Sequence, residues 1–103
     1  MRLFVYGELC KTEVLLATLA RVPTAELAML PEYRRTRDER GSYFRVVPAA
    51  GGVVVGLLLD GIDDGDLEAL DAFENVRGGE YRRVEVGVER GVCGQPATAW
   101  IYL

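Results

Sequence analysis

Two short stretches of this chain carry most of the information about its fold: FVYGEL at residues 4–9, and LDAFEN at residues 70–75, which is followed by YRR at residues 81–83. The first is an apolar run that stops at Gly7, which is typical of a buried strand entering a polar turn. The second is typical of a helix end and places Glu74 on the apolar side of that helix. Together they offer turn amides for a small anion and one protonatable carboxyl nearby.

Length and composition predict one folded domain covering residues 1–103. Half of the residues are hydrophobic, and a chain of this size buries about two-thirds of the surface that its unfolded form exposes. The net charge of -4 argues against nucleic acid as a partner, because duplex-binding proteins present basic surfaces. No run approaches the roughly 20 apolar residues that span a bilayer, and no signal region precedes the first strand. We therefore expect a cytoplasmic protein that does not enter membranes.

The residues that the sequence lacks narrow its chemistry. There is no histidine, which removes Ser-His-Asp and Cys-His catalytic sets and most zinc sites. Ser42 is the only serine, and the two cysteines, Cys10 and Cys93, have neither metal-site nor redox spacing. An enzyme of this composition has a carboxylate, a tyrosine or a lysine as its acid/base group.

Two helices are predicted. Thr12 caps the first, whose apolar positions form one broad face that fades before Pro23. The second begins at three closely spaced carboxylates and runs through Asn75; we interpret Asp63, Asp64 and Asp66 as capping and turn residues rather than metal ligands.

The remaining apolar runs predict strands. We expect an irregular edge strand at 33–37, a hairpin formed by 43–47 and 53–60 around a tight turn at 49–52, an alternating strand at 81–89, and a final strand at 97–102. About six strands and two helices in this order predict an α+β fold, with a small, mixed, strongly curved, barrel-like sheet and flanking helices.

Glu74 is the candidate acid/base. Helical spacing puts it in line with Leu67 and Leu70, so it faces the domain. Apolar surroundings and a helix C-terminus both disfavour an anion and raise the pKa of a carboxyl there. The alternative is a fraying residue turned to water. Asp71, one turn earlier, is either a second carboxylate of a pair or a partner for backbone or an arginine.

The turn after the first strand is the candidate anion site. The amides of Gly7, Glu8 and Leu9 are able to point into one concavity close to a helix start. A strand–glycine–helix junction with no ligand is the alternative. No GxGxxG or GxxxxGK pattern is present, which argues against dinucleotides and triphosphates.

Phe-Val-Tyr-Gly-x-Leu at residues 4–9 resembles the opening signature of the gamma-glutamylcyclotransferase-like family, in its compact branch of gamma-glutamylamine cyclotransferases and plant avirulence-induced proteins. Further similar stretches follow in the same order: LPEYRR at 30–35, the run from 43 to 47, VGLL at 55–58, LDAFE at 70–74 and YRRVEV at 81–86. The similarity spans nearly the whole chain.

This resemblance implies a small mixed barrel with a cavity at its strand ends. It implies that the substrate, a small γ-glutamyl molecule, rests its α-carboxylate on the loop Tyr6, Gly7, Glu8 and Leu9. Glu74 then relays a proton while the α-amine attacks the γ-carbonyl, and 5-oxoproline is released by a transferase or lyase that needs no metal or other cofactor. Tyr81 opens the strand after Glu74 and either closes the cavity or is a half-buried strand aromatic. We expect a monomer or homodimer.

Glu8 departs from the family pattern, which usually has serine or threonine there. If its side chain pointed into the cavity, repulsion from a substrate carboxylate at about 4 Å would cost about 4 kcal/mol at an effective dielectric near 20. Two functions therefore stay open. One is a cyclotransferase-type enzyme, and the other is a non-catalytic anion-binding or interaction domain that retains the cavity.

Overall fold

The computed structural model describes residues 1–37 and 44–103, which form five strands, one 3-10 turn and two α-helices. In chain order these are β1 (Leu3–Val5), the 3-10 turn (Glu8–Cys10), α1 (Thr12–Leu19), β2 (Ala25–Arg37), β3 (Phe44–Leu59), α2 (Asp64–Phe73), β4 (Arg83–Arg90) and β5 (Gln95–Tyr102). The strands close into a barrel in the order β1-β3-β2-β4-β5. The predicted α+β class, with a curved barrel-like sheet and flanking helices, is confirmed.

The predicted hairpin between residues 43–47 and 53–60 is wrong. Both runs belong to the single strand β3, which pairs antiparallel with β2 from Ala25 opposite Leu59 to Arg37 opposite Phe44. The hairpin is therefore β2–β3, and the chain does not reverse direction at residues 49–52. Ser42 and Tyr43, the predicted first residue of that run, lie outside the described residues.

The Gly-rich segment that suggested a turn is an irregularity within β3. Pro31 lies opposite Val53 and Tyr33 opposite Pro48, so residues 49–52 face the one intervening residue, Glu32. Glu32 has a positive φ of 67°, and its carboxylate accepts a hydrogen bond from the Gly51 amide at 3.0 Å. Such bulges bend and twist a strand pair without ending it.

Strand β1 closes the barrel. It is antiparallel to β3, with Leu3 opposite Leu59, and parallel to β5, where Leu3 lies opposite Trp100. Because β1 pairs parallel with β5 and all the other pairs are antiparallel, the sheet is mixed. Among the described residues, β2 pairs with β4 over a short stretch, with Ala28 opposite Arg90 and Met29 opposite Glu89.

The sheet separates two apolar clusters. One fills the barrel and contains Phe4, Leu30 and Ile101. The other lies between the sheet and the helices and contains Leu3, Leu15 and Leu70. Alternate residues of β1 thus enter different clusters, as the two-residue period of a strand requires.

Both helices have defined ends. At the start of α2, Asp63 and Asp66 each accept the other's backbone N–H in a capping box, as their spacing predicts. The N-cap of α1 is Lys11 rather than the expected Thr12, and it makes no side-chain capping bond. Neither α1 nor α2, the helices of the described ranges, has the length and apolarity needed to cross a bilayer.

Candidate active site

A cavity of about 500 Å³ opens where β1, the 3-10 turn, the start of β3 and the end of α2 meet. The residues that line it include every site residue predicted from the sequence: Tyr6, Gly7, Glu8, Leu9, Glu74 and Tyr81. Phe4, Val5, Phe44, Phe73, Asn75, Glu80 and Tyr102 complete the wall. The structure therefore brings together segments that are more than 60 residues apart in the chain.

Strand β1 delivers the turn to the cavity. The side chain of Tyr6 is buried, and its hydroxyl donates a hydrogen bond to the carbonyl of Tyr102 at 2.6 Å. Burial, with smaller contributions from Tyr81 and Glu74, raises the pKa of Tyr6, so the phenol stays protonated. The carbonyl of Gly7 accepts the amide of Cys10 to form the 3-10 turn, and the first amides of such a turn have no partner within it.

Glu8 contributes to the cavity wall, but its side chain extends into solvent. Its side chain is 53% exposed and pairs with the ammonium of Lys11, which donates to Oε1 at 3.1 Å. Its negative charge therefore has a cation beside it and water around it, and both weaken repulsion of an anion in the cavity. Of the two arrangements that the sequence left open for Glu8, the structure has the outward one.

Glu74 caps the C-terminal end of α2 and is partly buried in the cavity wall. Its amide donates to the carbonyl of Leu70, and Asn75 ends the helix in the left-handed region, with φ of 52°. Asparagine tolerates that conformation better than most residues. The helix therefore ends at Phe73, whereas the sequence predicted that it runs through Asn75. Burial raises the pKa of Glu74 to about 7, and Arg45 opposes the shift.

Asp71 binds an arginine, one of the alternatives that its sequence position suggested. Its carboxylate accepts two hydrogen bonds from Arg83, at 3.0 and 3.2 Å, and one from the Tyr102 hydroxyl at 2.7 Å. The carboxylate thereby ties α2 to β4 and β5 one turn before Glu74. We interpret Asp71 as a positioning residue for that end of the helix.

Tyr81 also lines the cavity. Its hydroxyl donates to the carbonyl of Phe44 at 3.0 Å, and the guanidinium of Arg45 lies 4.2 Å from the centre of its ring. Arg45 also pairs with the carboxylate of Glu80 at 3.8 Å. Tyr81 is thus half-buried and lines the cavity, but it lies two residues before β4 instead of opening that strand.

Sequence reasoning missed two wall residues, Phe44 and Tyr102, and it missed Arg45, whose guanidinium lies over the Tyr81 ring. Phe44 begins β3 and Tyr102 ends β5, and neither carries a local motif that marks a site. Their signal lies in topology: strand ends on one side of a barrel converge, and a correct β2–β3 pairing would have placed Phe44 there. Within residues 1–37 and 44–103 no group of three or more cysteine, aspartate and glutamate residues is arranged to hold a metal ion.

The described chain resembles several solved structures. The solution structure of an Arabidopsis thaliana protein superposes with a TM-score of 0.86 at 35% identity, covering 99% of this chain and 66% of that one. A structure described as a gamma-glutamyl cyclotransferase superposes with a TM-score of 0.79 at 22% identity, covering 99% of this chain and 64% of that one. The latter likeness shows a shared fold.

Curated relatives are similar in sequence as well. AIG2-like protein D of Arabidopsis thaliana is 39% identical over 85 residues, which are 82% of this chain and 54% of that protein. AIG2-like protein C of the same plant is 42% identical over 86 residues, 84% of this chain and 48% of that protein. The chain spans about half the length of the curated relatives it matches.

The family resemblance inferred from the motifs is confirmed by a family-wide comparison. The model of the family described as "Gamma-glutamyl cyclotransferase, AIG2-like" matches residues 3–103, a range that contains the turn, Glu74 and Tyr81. The chain therefore belongs to the AIG2-like gamma-glutamyl cyclotransferase family.

Proposed function

We propose that this chain catalyses the intramolecular aminolysis of a γ-glutamyl amine or γ-glutamyl peptide, releasing 5-oxoproline, with Glu74 as general acid/base. The observation that carries the proposal is a carboxyl whose pKa is raised to about 7 within a cavity that the Tyr6–Leu9 turn also lines. A group that titrates near neutral pH is able both to accept and to return a proton.

The reaction needs one proton to be moved between two nitrogens. The Glu74 carboxylate accepts a proton from the substrate α-amine as that nitrogen attacks the γ-carbonyl carbon, and the new C–N bond closes the five-membered ring. The carboxylic acid then returns the proton to the departing nitrogen as the γ-amide C–N bond breaks. The products are 5-oxoproline and a free amine, and Glu74 ends as it began.

The rest of the cavity serves orientation. The attacking amine and the γ-carbonyl belong to one molecule, so a site that holds the substrate bent supplies much of the acceleration through proximity. The turn at Gly7, Glu8 and Leu9 would receive the α-carboxylate on its amides, flanked by Tyr6 and Tyr81. A volume of about 500 Å³ suits a small γ-glutamyl compound. No cofactor enters the scheme.

The test is 5-oxoproline release by the purified chain from a panel of γ-glutamyl amines and γ-glutamyl peptides. We expect at least one to be turned over, and Glu74→Gln to lower that turnover by at least ~10²-fold, as loss of a general base does. Glu68→Gln, on the exposed face of α2, is the matched control and should leave the rate unchanged. Near-native turnover by Glu74→Gln with a native fold would remove Glu74 from the mechanism.

A second function, a non-catalytic small-anion-binding or interaction domain, is favoured by one observation. Glu8 stands where the family usually has serine or threonine, and it contributes to the cavity wall. Thermal shifts with γ-glutamyl ligands, in the absence of any 5-oxoproline release, would support this function instead.

The proposed enzyme acts on a small molecule in the cytoplasm, as a monomer or homodimer and without nucleic acid. Light scattering tests the oligomeric state.

A further inference from the structure

Arg35, on β2, lies beside the turn that ends β1. It pairs across the sheet with Val46, whose side chain is buried in the barrel cluster. Paired residues of two neighbouring strands project to the same face, so Arg35 leaves the sheet on the face that carries Val46, and its long side chain reaches solvent. Arg34, its neighbour in sequence, projects to the opposite face.

Two contacts fix the guanidinium near Gly7. The first is a hydrogen bond that Arg35 donates to the carbonyl of Val55 at 3.1 Å. Val55 belongs to β3, which pairs with β1 as far as Val5 opposite Leu57. The cation is therefore bonded to the β3 backbone two residues from the end of that pairing.

The second contact is with Phe44, a residue of the cavity wall. The guanidinium of Arg35 lies 5.2 Å from the centre of the Phe44 ring, within the range of a cation–π interaction. The same side chain borders the turn, because a β-carbon placed on Gly7 would lie 3.7 Å from that of Phe44. Phe44 thus borders both the Arg35 guanidinium and Gly7.

The charge of Arg35 reaches residues on both sides of the turn. It lowers the pKa of Tyr6 and of Cys10, against the larger effect of burial, which raises both. These two residues immediately precede and follow Gly7, Glu8 and Leu9 in the chain. The charge of Arg35 therefore acts on the two side chains that flank the turn.

Two of the carboxylates that line the cavity are balanced by ion pairs. Glu8 pairs with Lys11 and Glu80 with Arg45. Within residues 1–37 and 44–103, by contrast, no carboxylate pairs with Arg35. A guanidinium has five N–H donors in a planar fork that matches a carboxylate, and the carbonyl of Val55 occupies one of them.

We propose that Arg35 binds the carboxylate of the ligand that occupies this cavity, beside the turn at Gly7, Glu8 and Leu9, and so selects acidic ligands over their neutral amides. In the reaction proposed above, that group is the α-carboxylate of the γ-glutamyl substrate, and this assignment rests on the proposed function. Arg35 supplies the full positive charge that the turn amides lack.

Binding measurements test this inference without requiring turnover. The probes are 5-oxoproline, which carries a carboxylate, and 5-oxoprolinamide, in which a neutral amide replaces it. By calorimetry at low ionic strength we expect Arg35→Gln to weaken 5-oxoproline binding about tenfold, the size of one lost charge-assisted hydrogen bond, and to change binding of the amide by less than twofold. Arg35→Lys should recover part of the loss, because it restores the charge without the fork.

The matched control is Arg34→Gln, which removes the same charge from the other face of β2 and should leave both affinities unchanged. If Arg35→Gln binds 5-oxoproline as the native chain does, or loses both ligands equally, the inference is wrong. So is it if the native chain binds neither ligand.

The release assay separates this failure from failure of the proposed function. If the chain releases 5-oxoproline but the native chain and Arg35→Gln bind it equally well, the proposed function holds and the role of Arg35 is wrong. If binding depends on Arg35 but no 5-oxoproline is released, the role of Arg35 holds and the proposed function is wrong.

Discussion

The carboxyl of Glu74 is the group on which the proposed chemistry depends, and folding raises its pKa. This shift is measurable without a substrate. The pKa is about 7 in the folded chain and 4.5 for an unperturbed glutamate. Between these two pH values the folded chain binds more protons than the unfolded chain. The free energy of unfolding therefore falls as the pH rises from about 4.5 to about 7, and this contribution is constant outside that window.

Replacing Glu74 by glutamine should reveal this cost. Glutamine does not ionise, so we expect Glu74→Gln to gain about 1–2 kcal/mol relative to the native chain between pH 4.5 and pH 8, after allowance for water at the cavity mouth. Urea unfolding at the two pH values measures the difference, with Glu68→Gln as the exposed control on the same helix. A stability difference that does not change with pH would show that Glu74 is hydrated.

Glu8 calls for the opposite expectation from the one that its position in the sequence suggested. Because the side chain pairs with Lys11 in solvent, Glu8→Ser removes a screened charge, and such charges contribute about 0.2–1 kcal/mol. We expect less than about a fivefold change in the affinity for 5-oxoproline. A gain well beyond fivefold in calorimetry would place the carboxylate against the ligand after all.

Among the elements, β3 approaches β1 most tightly at Gly56, where the two backbones leave no room for a side chain. A β-carbon on Gly56 would lie 2.3 Å from the carbonyl oxygen of Val5 and 2.7 Å from the Phe4 ring. The carbonyl belongs to the backbone of a closed sheet and has little freedom to move. Glycine is therefore required at this position for packing, although its φ is not positive.

Gly56→Ala should consequently destabilise the chain by about 3 kcal/mol, at the upper end of the cost of overpacking. The matched control is Gly87→Ala on β4, where an added β-carbon meets nothing within 4 Å. Chemical unfolding of both variants under one condition decides the matter. Equal stabilities would mean that β1 moves away from β3 at little cost.

The same strand marks the limit of sequence-based prediction here. Apolar runs located β3, but Pro48 and the glycines at 51 and 52 are as typical of a hairpin turn as of a bulge. The bulge is decided by pairing with Glu32 and Tyr33 on β2, which local sequence does not reveal. The α2 capping box, in contrast, depends on residues three apart and was predictable from Asp63 and Asp66 alone.

For the molecule as a whole, the candidate site follows from barrel closure. Tyr6 and Glu74 were identifiable from the sequence because each occupies a characteristic position, one before a turn glycine and the other on an apolar helical line. Tyr102 was not, because it reaches the cavity only through the pairing of its strand with neighbouring strands. The outward turn of Glu8 likewise depends on Lys11, whose ion pair is a surface contact that the motif does not encode.

The two apolar clusters allow stability to be separated from the properties of the site. Leu70 and Leu30 are both fully buried, but Leu70 lies between sheet and helices, and Leu30 lies inside the barrel. The carbonyl of Leu70 also accepts the Glu74 amide. Truncating either leucine to alanine removes the same atoms. Only the Leu70 truncation leaves a void beside the helix end that carries Glu74.

We therefore expect Leu70→Ala and Leu30→Ala each to cost about 2–5 kcal/mol of unfolding free energy and to differ in their effect on Glu74. Loosening α2 admits water to the carboxyl, and because burial is what raises its pKa, Leu70→Ala should bring that pKa down from about 7 toward 4.5. Leu30→Ala should leave it near 7. An NMR titration of the Glu74 side-chain carboxyl carbon, at a temperature where both variants are folded, reports the pKa directly and needs no enzymatic activity. Equal pKa values in the two variants would show that the cavity wall, rather than the packing of α2 on the sheet, sets the protonation of Glu74.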